Sequence, residues 1–540
     1  MRAATRGALV SAALIMLSRI AGLARDVSVA GVFGQTIYTD SYAAALQVPD
    51  LLMFMIAGGV LSSSFIPVYT EYRREQGEAA AAELASVVFT LWMTIAIVSV
   101  LLLEVFSAPL VRWVGTPGVG LPGSDWRWAD YHRVLTMTRI VLPAQIAFFG
   151  GGVLMGMQYV RREFVVPGLG PTIYNLGLIV GCFAGGWMLG PTGVQGLVWG
   201  GLIGAFLGNL ILQLWAVSRY EPGLRLSFNW RHPGARRVLV MMLPVIFSLS
   251  MPLVDTQINR WFAIRYGAAG QATALDRAYR LMMLPVGVLG QGVATSFYAT
   301  LANLADPSQR PLFKQTLIHG LRQLALGALP ITAALIVLRV ELVAMLFERG
   351  NFARPDTLVV AGVLWLFALG IYAWCGEQLV GRAFYALQDT RTPPWTGSVV
   401  TVIFIGLNLL FMALFDGWRG AEARYLGLAL ATTLSAWLYF GALLVLLRRK
   451  IGLLGGRQLA VDILKTLVAT GCLTLAISGC RAGLLSLGLQ HAWAVGGLSL
   501  GLGTVVYVLA ALGLGLIEVK SLRGLMGQLR QRLGGRRGDS

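Results

Sequence analysis

Six ionisable residues stand inside stretches that are otherwise apolar: Arg19, Arg25, Asp255, Asp276, Arg280 and Glu377. An ionised side chain is expensive in hydrocarbon, so such residues normally face a bundle interior or a water-filled cavity. Arginine stays charged and presents a planar fork of donors matched to phosphate oxygens, so arginines lining one cavity suit an anionic headgroup such as a pyrophosphate. A plainer reading is internal ion pairing: Asp276 and Arg280 are spaced i,i+4, and Arg25 can pair with Asp26 or Asp40. Arg19 and Arg25 stand about 120° apart on an ideal helix, Gly22 between them permits a bend, and Arg25 can also snorkel to the outer interface. Asp255, Gln257 and Asn259 make a further stretch rich in oxygen acceptors, and Asn408 lies in another apolar segment. Such acceptors suit Na⁺ coordination or a proton relay; interhelical hydrogen bonds, worth about 1 kcal/mol or less each, are the bland alternative.

The elements that must position these residues follow from composition. The chain has 540 residues, 56% hydrophobic and only 13% charged, with a net charge of +18 and a mean hydropathy of +0.70. A soluble domain carries roughly 25% charged residues, and a nucleic-acid binder clusters its Lys and Arg on a solvated face. Here the basic residues sit between long apolar runs, as in a multi-spanning membrane protein. A hydrocarbon core of about 30 Å needs roughly 20 apolar helical residues. That template predicts fourteen spans, at 8–32, 41–66, 85–109, 134–158, 164–189, 194–217, 237–260, 271–301, 315–338, 357–386, 394–415, 425–447, 459–479 and 492–517. The fold class is therefore all-α integral membrane. With the N-terminus inside, roughly 25 basic residues fall in cytoplasmic loops against about 11 outside, which puts both termini in the cytoplasm. Those inside include Arg73, Arg74, Arg161, Arg162, Arg310, Lys314, Arg448 to Lys450 and the tail from Lys520 to Arg537.

Arg2 and Arg6 precede an apolar run from Ala8 to Leu17 as a signal peptide would begin, but no A-x-A site follows. A retained first helix spans only by taking Arg19 and Arg25 into the membrane. A weak internal repeat pairs Ser63-Ser64-Phe65 with Thr295-Ser296-Phe297, and Tyr159 to Pro167 with Tyr385 to Pro393. Both offsets are close to six spans, as parallel transporter repeats require; chance similarity is the alternative. The repeat implies six-helix lobes at 1–220 and 221–450 around a central cavity, with two further helices and a basic tail at 451–540. No phosphate loop, nucleophile elbow or H-E-x-x-H pair occurs, so no enzyme chemistry and no resident cofactor are expected. The acids are too dispersed for an integral-membrane glycosyltransferase. Cys182, Cys375, Cys472 and Cys480 lack metal or redox spacing and read as packed hydrophobes.

Several segments carry a family likeness: M-L-S-R-I-A-G-L-A-R-D (Met16 to Asp26), Phe33-Gly34, Thr39-Asp40, R-E-F-V-V-P-G-L-G-P with Asn175, R-L-M-M-L-P-V-G-V-L-G (Arg280 to Gly290), L-F-E-R-G-N-F (Leu346 to Phe352) and F-Y-A-L-Q-D-T-R-T-P (Phe384 to Pro393). Together they resemble the lipid II flippase family MurJ, also called MviN, of the multidrug/oligosaccharidyl-lipid/polysaccharide exporter superfamily. The resemblance implies movement of undecaprenyl-pyrophosphate-linked peptidoglycan precursor from the inner to the outer leaflet of a bacterial inner membrane, by alternating access. It implies that Arg19, Arg25 and Arg280 are the cavity arginines that bind substrate, with Asp40 the functional acid near the outer gate. It assigns a lipid-tail groove to 459–479 and 492–517, and a sodium site to Asp255 and Asn408, with Phe404 where a second polar ligand is expected. Coupling to Na⁺ or H⁺ stays open. Expected partners are lipid II or a related polyprenyl-pyrophosphate glycan, membrane lipids and cell-wall synthesis proteins, with no nucleic acid. One departure bears on substrate: Met53 and Gly58 stand in the second helix where many relatives have Arg and Glu. The double loss reads either as a compensated charge pair or as a paralogue for another polyprenyl-linked oligosaccharide; a drug exporter of the same fold and a non-transporting scaffold are the remaining alternatives.

Overall fold

The computed structural model describes residues 2–56, 60–117, 119, 126–221, 223–453, 455–489 and 491–516. Gly58, the side chains of Arg2 and Arg6, and the basic tail from Lys520 to Arg537 lie outside the described residues. No strand occurs among them, in keeping with a backbone that must satisfy its own hydrogen bonds away from water. The chain runs through α1 (Arg2–Phe33), α2 (Ile37–Ile56), α3 (Val60–Glu75), α4 (Gly77–Val105), α5 (Trp128–Val160), α6 (Val165–Leu189), α7 (Thr192–Ser218) and α8 (Pro233–Tyr266). It continues through α9 (Gln271–Asn303), α10 (Pro307–Val337), α11 (Arg354–Ala368), α12 (Ile371–Ala386), α13 (Thr392–Arg419), α14 (Arg424–Ile451), α15 (Gly456–Ser486) and α16 (Ala492–Gly513).

Among the described residues, ten of these helices are long and apolar enough to cross a membrane, or eleven if α11 and α12, bent by 43° at their junction, form one span. The expected fourteen is thus not reached by length and composition alone. The segments expected at 8–32, 41–66 and 237–260 are helical, as α1, α2 with α3, and α8. Yet α1 carries Arg2, Arg6, Arg19, Arg25 and Asp26, which dilute its apolar run.

The chain divides into two compact units: residues 1–277 with 347–356 and 408–428, and residues 278–346 with 357–407 and 429–540. In the first, Phe65, Tyr69, Trp92, Phe149 and Met157 from α3, α4 and α5 centre a buried apolar cluster. Beside it, α6 and α7 meet backbone to backbone along Gly177, Gly181 and Gly185 on one helix and Gly193, Gly196 and Gly200 on the other. A Cβ on Gly181 would lie 2.1 Å from the carbonyl oxygen of Gly196. Without a hydrophobic drive between helices in lipid, such close approach is what holds them together.

In the second unit α10 is the platform for the last two helices. Ala334 and Leu338 pack against Ala469, Leu473 and Ile477 of α15 and Tyr507 and Ala511 of α16, and the Tyr507 hydroxyl donates to the Leu326 carbonyl at 2.7 Å. The outer faces keep Leu464, Leu475, Leu498 and Leu509 exposed, as suits contact with lipid.

The suspected repeat has a local structural counterpart. Arg162 and Gln388, three residues after the matched tyrosines, are the two non-glycine residues with positive φ among those described, at 63° and 59°. In both turns the same pair of bonds closes the helix: Arg162 N–H to Tyr159 O and Glu163 N–H to Gln158 O, then Gln388 N–H to Tyr385 O and Asp389 N–H to Phe384 O. This is the left-handed C-terminal stop that glycine normally supplies, built twice without glycine at matched positions. In the second copy Asp389 also accepts from Thr392 and, at 2.6 Å, from Lys450 of α14. Burial alone would raise its carboxyl, but the hydrogen bonds from Lys450 and Thr392 outweigh that and lower it from 3.8 to about 2.

Two outcomes follow from this packing. Gly181→Leu is expected to destabilise the protein by about 1–3 kcal/mol through overpacking, read as a lowered Tm in detergent, whereas Gly471→Ala, with nothing within 4 Å of its Cβ, leaves Tm unchanged. A depressed carboxyl contributes stability above its ordinary pKa and loses it as pH falls through its folded value. Asp389→Asn should therefore cost about 1–2 kcal/mol near neutral pH and remove the part of the stability loss seen in wild type as pH falls from about 4 to about 2, measured by thermal melts across pH.

Candidate functional site

Arg25 is held from two sides. Its Nε and Nη2 donate to Asp26 Oδ1 at 3.0 and 2.8 Å, and its Nη1 donates to Asn175 Oδ1 of α6 at 2.9 Å. Asn175 is fixed in turn, because its Nδ2 donates to the Pro171 carbonyl at 2.9 Å. The expected bend at Gly22 does not break α1, which runs unbroken from Arg2 to Phe33. Gly22 instead gives Asn175 room: a Cβ there would lie 3.9 Å from its Oδ1. Of the two acids named as partners for Arg25, Asp26 is the one engaged. Arg19 is exposed, beside the exposed Met16 and Ile20.

Asp40 sits elsewhere in the first unit, fully buried at the start of α9. Its Oδ2 accepts from the Gly270 N–H at 2.6 Å, and its Oδ1 accepts from the Thr273 N–H at 2.9 Å and from the Thr273 hydroxyl. A carboxylate from another helix thus supplies acceptors for the orphan donors of a helix N-terminus. The reverse arrangement lies close by in sequence. Arg277 donates from Nη2 to the Gly34 carbonyl, at the end of α1, and from Nη1 to Gln35 Oε1, both at 3.0 Å, and its guanidinium covers the Phe352 ring. Gly34 adopts φ +66°, and a Cβ there would meet the Asn351 carbonyl at 2.7 Å. The Asn351 N–H donates to Gly31 O and its side chain to Val32 O. The Phe33-Gly34 and G-N-F motifs are therefore two halves of one tie.

Arg260, at the end of α8, joins Asp276 Oδ2 at 2.9 Å and Asp50 Oδ2 of α2 at 3.4 Å. Asp276 thus has an ion-pair partner beyond the i,i+4 arginine considered from sequence. Asn408 is completely buried, and among the described residues neither its Oδ1 nor its Nδ2 has a hydrogen-bond partner; the Gln257 Oε1 is likewise unpartnered among them. An orphaned buried amide oxygen fits a cation ligand by its chemistry. Asp255 is half-buried and engaged, and Phe404, a turn before Asn408, is fully buried. No group of three or more His, Cys, Asp or Glu able to hold a metal exists among the described residues. Arg280, exposed, and Glu377, half-buried, belong to the second unit. Sequence reasoning missed Arg260, Arg277 and Thr273, whose partners are remote in the chain; Asp50 beside Pro49 was the one available signal.

The all-helical architecture, with ten or eleven helices long and apolar enough to cross a membrane among the described residues, is that of a multi-pass membrane protein. The structure is similar to an inward-facing multidrug resistance MATE family transporter of the MOP superfamily, with a TM-score of 0.64 and 14% identity over 83% of this chain and 99% of that one. It is also similar to a structure of lipid II flippase MurJ in an inward closed conformation, with a TM-score of 0.74 and 22% identity over 93% of this chain and 98% of that one. The family model for lipid II flippase MurJ matches residues 29–502, and the chain belongs to that family. Among relatives, it is 28% identical to the lipid II flippase MurJ of Burkholderia cenocepacia over 76% of this chain and 78% of the relative. It is 27% identical to the probable lipid II flippase MurJ of Vibrio cholerae, over 80% and 81%.

Arg260→Ala would take the shared guanidinium away from Asp50 and Asp276, so it should lower stability by up to about 3 kcal/mol. The triple variant with Asp50→Asn and Asp276→Asn should recover much of that loss in the same thermal melt.

Proposed function

We propose that this protein is a lipid II flippase of the bacterial inner membrane, with both termini cytoplasmic. It moves the undecaprenyl-pyrophosphate-linked muropeptide outward by alternating access and makes or breaks no covalent bond. The observation that carries this reading, beyond family membership, is Arg25: a guanidinium in an apolar helix, oriented by Asp26 and Asn175. Asn175 fixes the fork without neutralising it, and Asp26 offsets part of the charge that would otherwise be desolvated. A pyrophosphate oxygen replacing Asp26 would exchange one charge-assisted bond for another, which makes headgroup entry and release cheap. Arg19 and Arg280, both exposed, are assigned the same anionic ligand. Asp40 is assigned to the outer end, where its hold on Gly270 and Thr273 must loosen for the start of α9 to move.

Drive comes from an ion gradient, the membrane potential or downstream consumption of the product. If Na⁺ couples transport, Asp255 and Asn408 would hold it through oxygen ligands, and the ion would offset the acid's charge. Cell-wall synthesis proteins are the natural partners for handing on the product.

Met53, apolar where many relatives carry Arg, favours one second reading, transport of another polyprenyl-linked oligosaccharide. Cells depleted of their own lipid II flippase test both. Wild type should restore growth, and Arg25→Ala, inserted at equal level, should fail. No rescue by the inserted wild type, with tighter binding of a different lipid-linked glycan than of lipid II, would overturn the lipid II assignment.

A further inference from the structure

Within the first unit, the connection between α7 and α8 begins beside the Arg161–Glu221 ion pair, and from Gly223 it runs extended along α4 in a fixed register. A Cβ on Gly223 would lie 3.9 Å from the Ala82 Cβ, the Arg225 N–H donates to Ser86 Oγ at 3.2 Å, and the Ser227 N–H donates to Thr90 Oγ1 at 2.9 Å. Two extended residues advance about 7 Å and four helical residues about 6 Å, so every second residue of this ribbon meets the next turn of α4. The Ser86 and Thr90 hydroxyls donate their own protons to the Ala82 and Ser86 carbonyls, which leaves their oxygens as acceptors for the ribbon. The chain then turns back, with the Trp230 N–H donating to Phe228 O and the His232 N–H to Asn229 O. By Gly234, at the start of α8, it has returned to the level of Leu84, whose Cδ1 would lie 2.8 Å from a Cβ there. Thr90 stands five residues, about 7 Å, inside the span expected to start at 85, so the tip of this hairpin reaches past the predicted edge of the membrane.

The side chains at the tip point away from the protein. Leu226 and Phe228 alternate onto one face of the ribbon and are 68% and 61% exposed, and Trp230, 50% exposed, sets its ring 5.9 Å from that of Phe228. Arg225 and Arg231 flank them and are exposed. At the end of α7 the Arg219 guanidinium lies 3.7 Å over the Trp215 ring. A loop bathed in water leaves three large apolar side chains hydrated, each worth about 1.5–3 kcal/mol if buried, and its N–H groups need no acceptors from a helix. A ribbon entering the membrane interface uses both features. The hydroxyls replace the water its backbone has lost, and aromatic rings beside arginines suit the headgroup level.

We propose that residues 223–234 are a re-entrant hairpin inserted into the cytoplasmic leaflet, with Leu226, Phe228 and Trp230 below the headgroups and Arg225 and Arg231 at the phosphates of anionic lipids. Attraction of arginine to that leaflet, about 1 kcal/mol for each residue near the surface, favours the insertion. The choice of leaflet rests on the topology reading, which puts Arg161 inside; the depth of the tip, measured from the nearer surface, does not. None of Arg19, Arg25 or Arg280 takes part.

The experiment uses the full-length protein in nanodiscs of phosphatidylcholine and phosphatidylglycerol, with Cys472→Ser and Cys480→Ser so that only the buried Cys182 and Cys375 remain. A nitroxide is attached at Phe228→Cys or Trp230→Cys, and at Gln76→Cys in the exposed turn before α4 as the aqueous reference. Electron paramagnetic resonance then reads collisions of the label with oxygen and with a water-soluble nickel chelate. At both hairpin positions the oxygen-to-nickel ratio should stand several-fold above that at Gln76→Cys, and adding Arg225→Glu with Arg231→Glu should lower it. The labelled variants should melt like the unlabelled protein. A ratio equal to that at Gln76→Cys would overturn the proposal by marking a solvated loop, and an immobilised label reached by neither reagent would overturn it by marking a protein contact. A ratio unmoved by the two charge reversals would overturn the part given to the arginines. No lipid II and no transport enter this measurement, so its failure leaves the flippase reading intact, and failure of cell rescue leaves the hairpin intact.

Discussion

A cation placed in an apolar helix must be solvated by protein, and the first unit is organised around that requirement at Arg25. Water is replaced by Asp26 from the same helix and by Asn175 from α6, and the Asn175 amide is itself tied to the Pro171 carbonyl. Gly22 of α1 faces this amide, and a Cβ there would meet it at an ordinary van der Waals distance of 3.9 Å. For α6 to stand where it does, its other face must seat on α7 through a run of glycines whose backbones nearly touch. The Arg25 guanidinium so held uses three of its five N–H donors.

Another part of the same unit answers a related problem, the unpaired groups at helix ends. Asp40 meets the N–H groups at the start of α9, and Arg277 meets the carbonyl at the end of α1. Each charge opposes the helix dipole it faces. The two ties fix the start of α9 to α1, α2 and the segment from Phe347 to Asp356, while α9 beyond Arg277 packs in the second unit. One helix therefore belongs to both units, and the charge-to-terminus contacts are where it is anchored to the first. Arg260, between Asp50 and Asp276, adds a salt-bridge tie from α8 to α2 and α9.

How much was legible in the sequence differs by kind of feature. The apolar periodicity that predicts helices is local, and the segments expected to span are mostly helical among the described residues, with breaks such as the one at Leu369-Gly370 between α11 and α12. The weak repeat was legible from a tyrosine, an acid and a proline, and its turn geometry recurs at Arg162 and Gln388, where no glycine would have signalled a left-handed residue. Partnerships were not legible. Arg25 had two candidate acids, and the nearer was engaged; Asp276 had an arginine four residues on, yet it pairs with Arg260, sixteen residues back.

The sequence by itself determined the class of protein: a basic, oily chain with charges sunk in apolar runs is a multi-spanning membrane protein, and its motifs carry the family. It also determined which residues were too expensive to be accidental, since the free energy of placing Arg19, Arg25 or Asp255 in hydrocarbon depends on residue type and local depth. Only tertiary structure decided what each charge does. Asp40, buried, and Arg25, half-buried, are ionisable groups in neighbouring helices, yet one caps the start of α9 and the other is presented by Asn175. That difference is set by which helix ends and side chains lie within 3 Å or so, and such neighbours come from segments more than a hundred residues away in the chain.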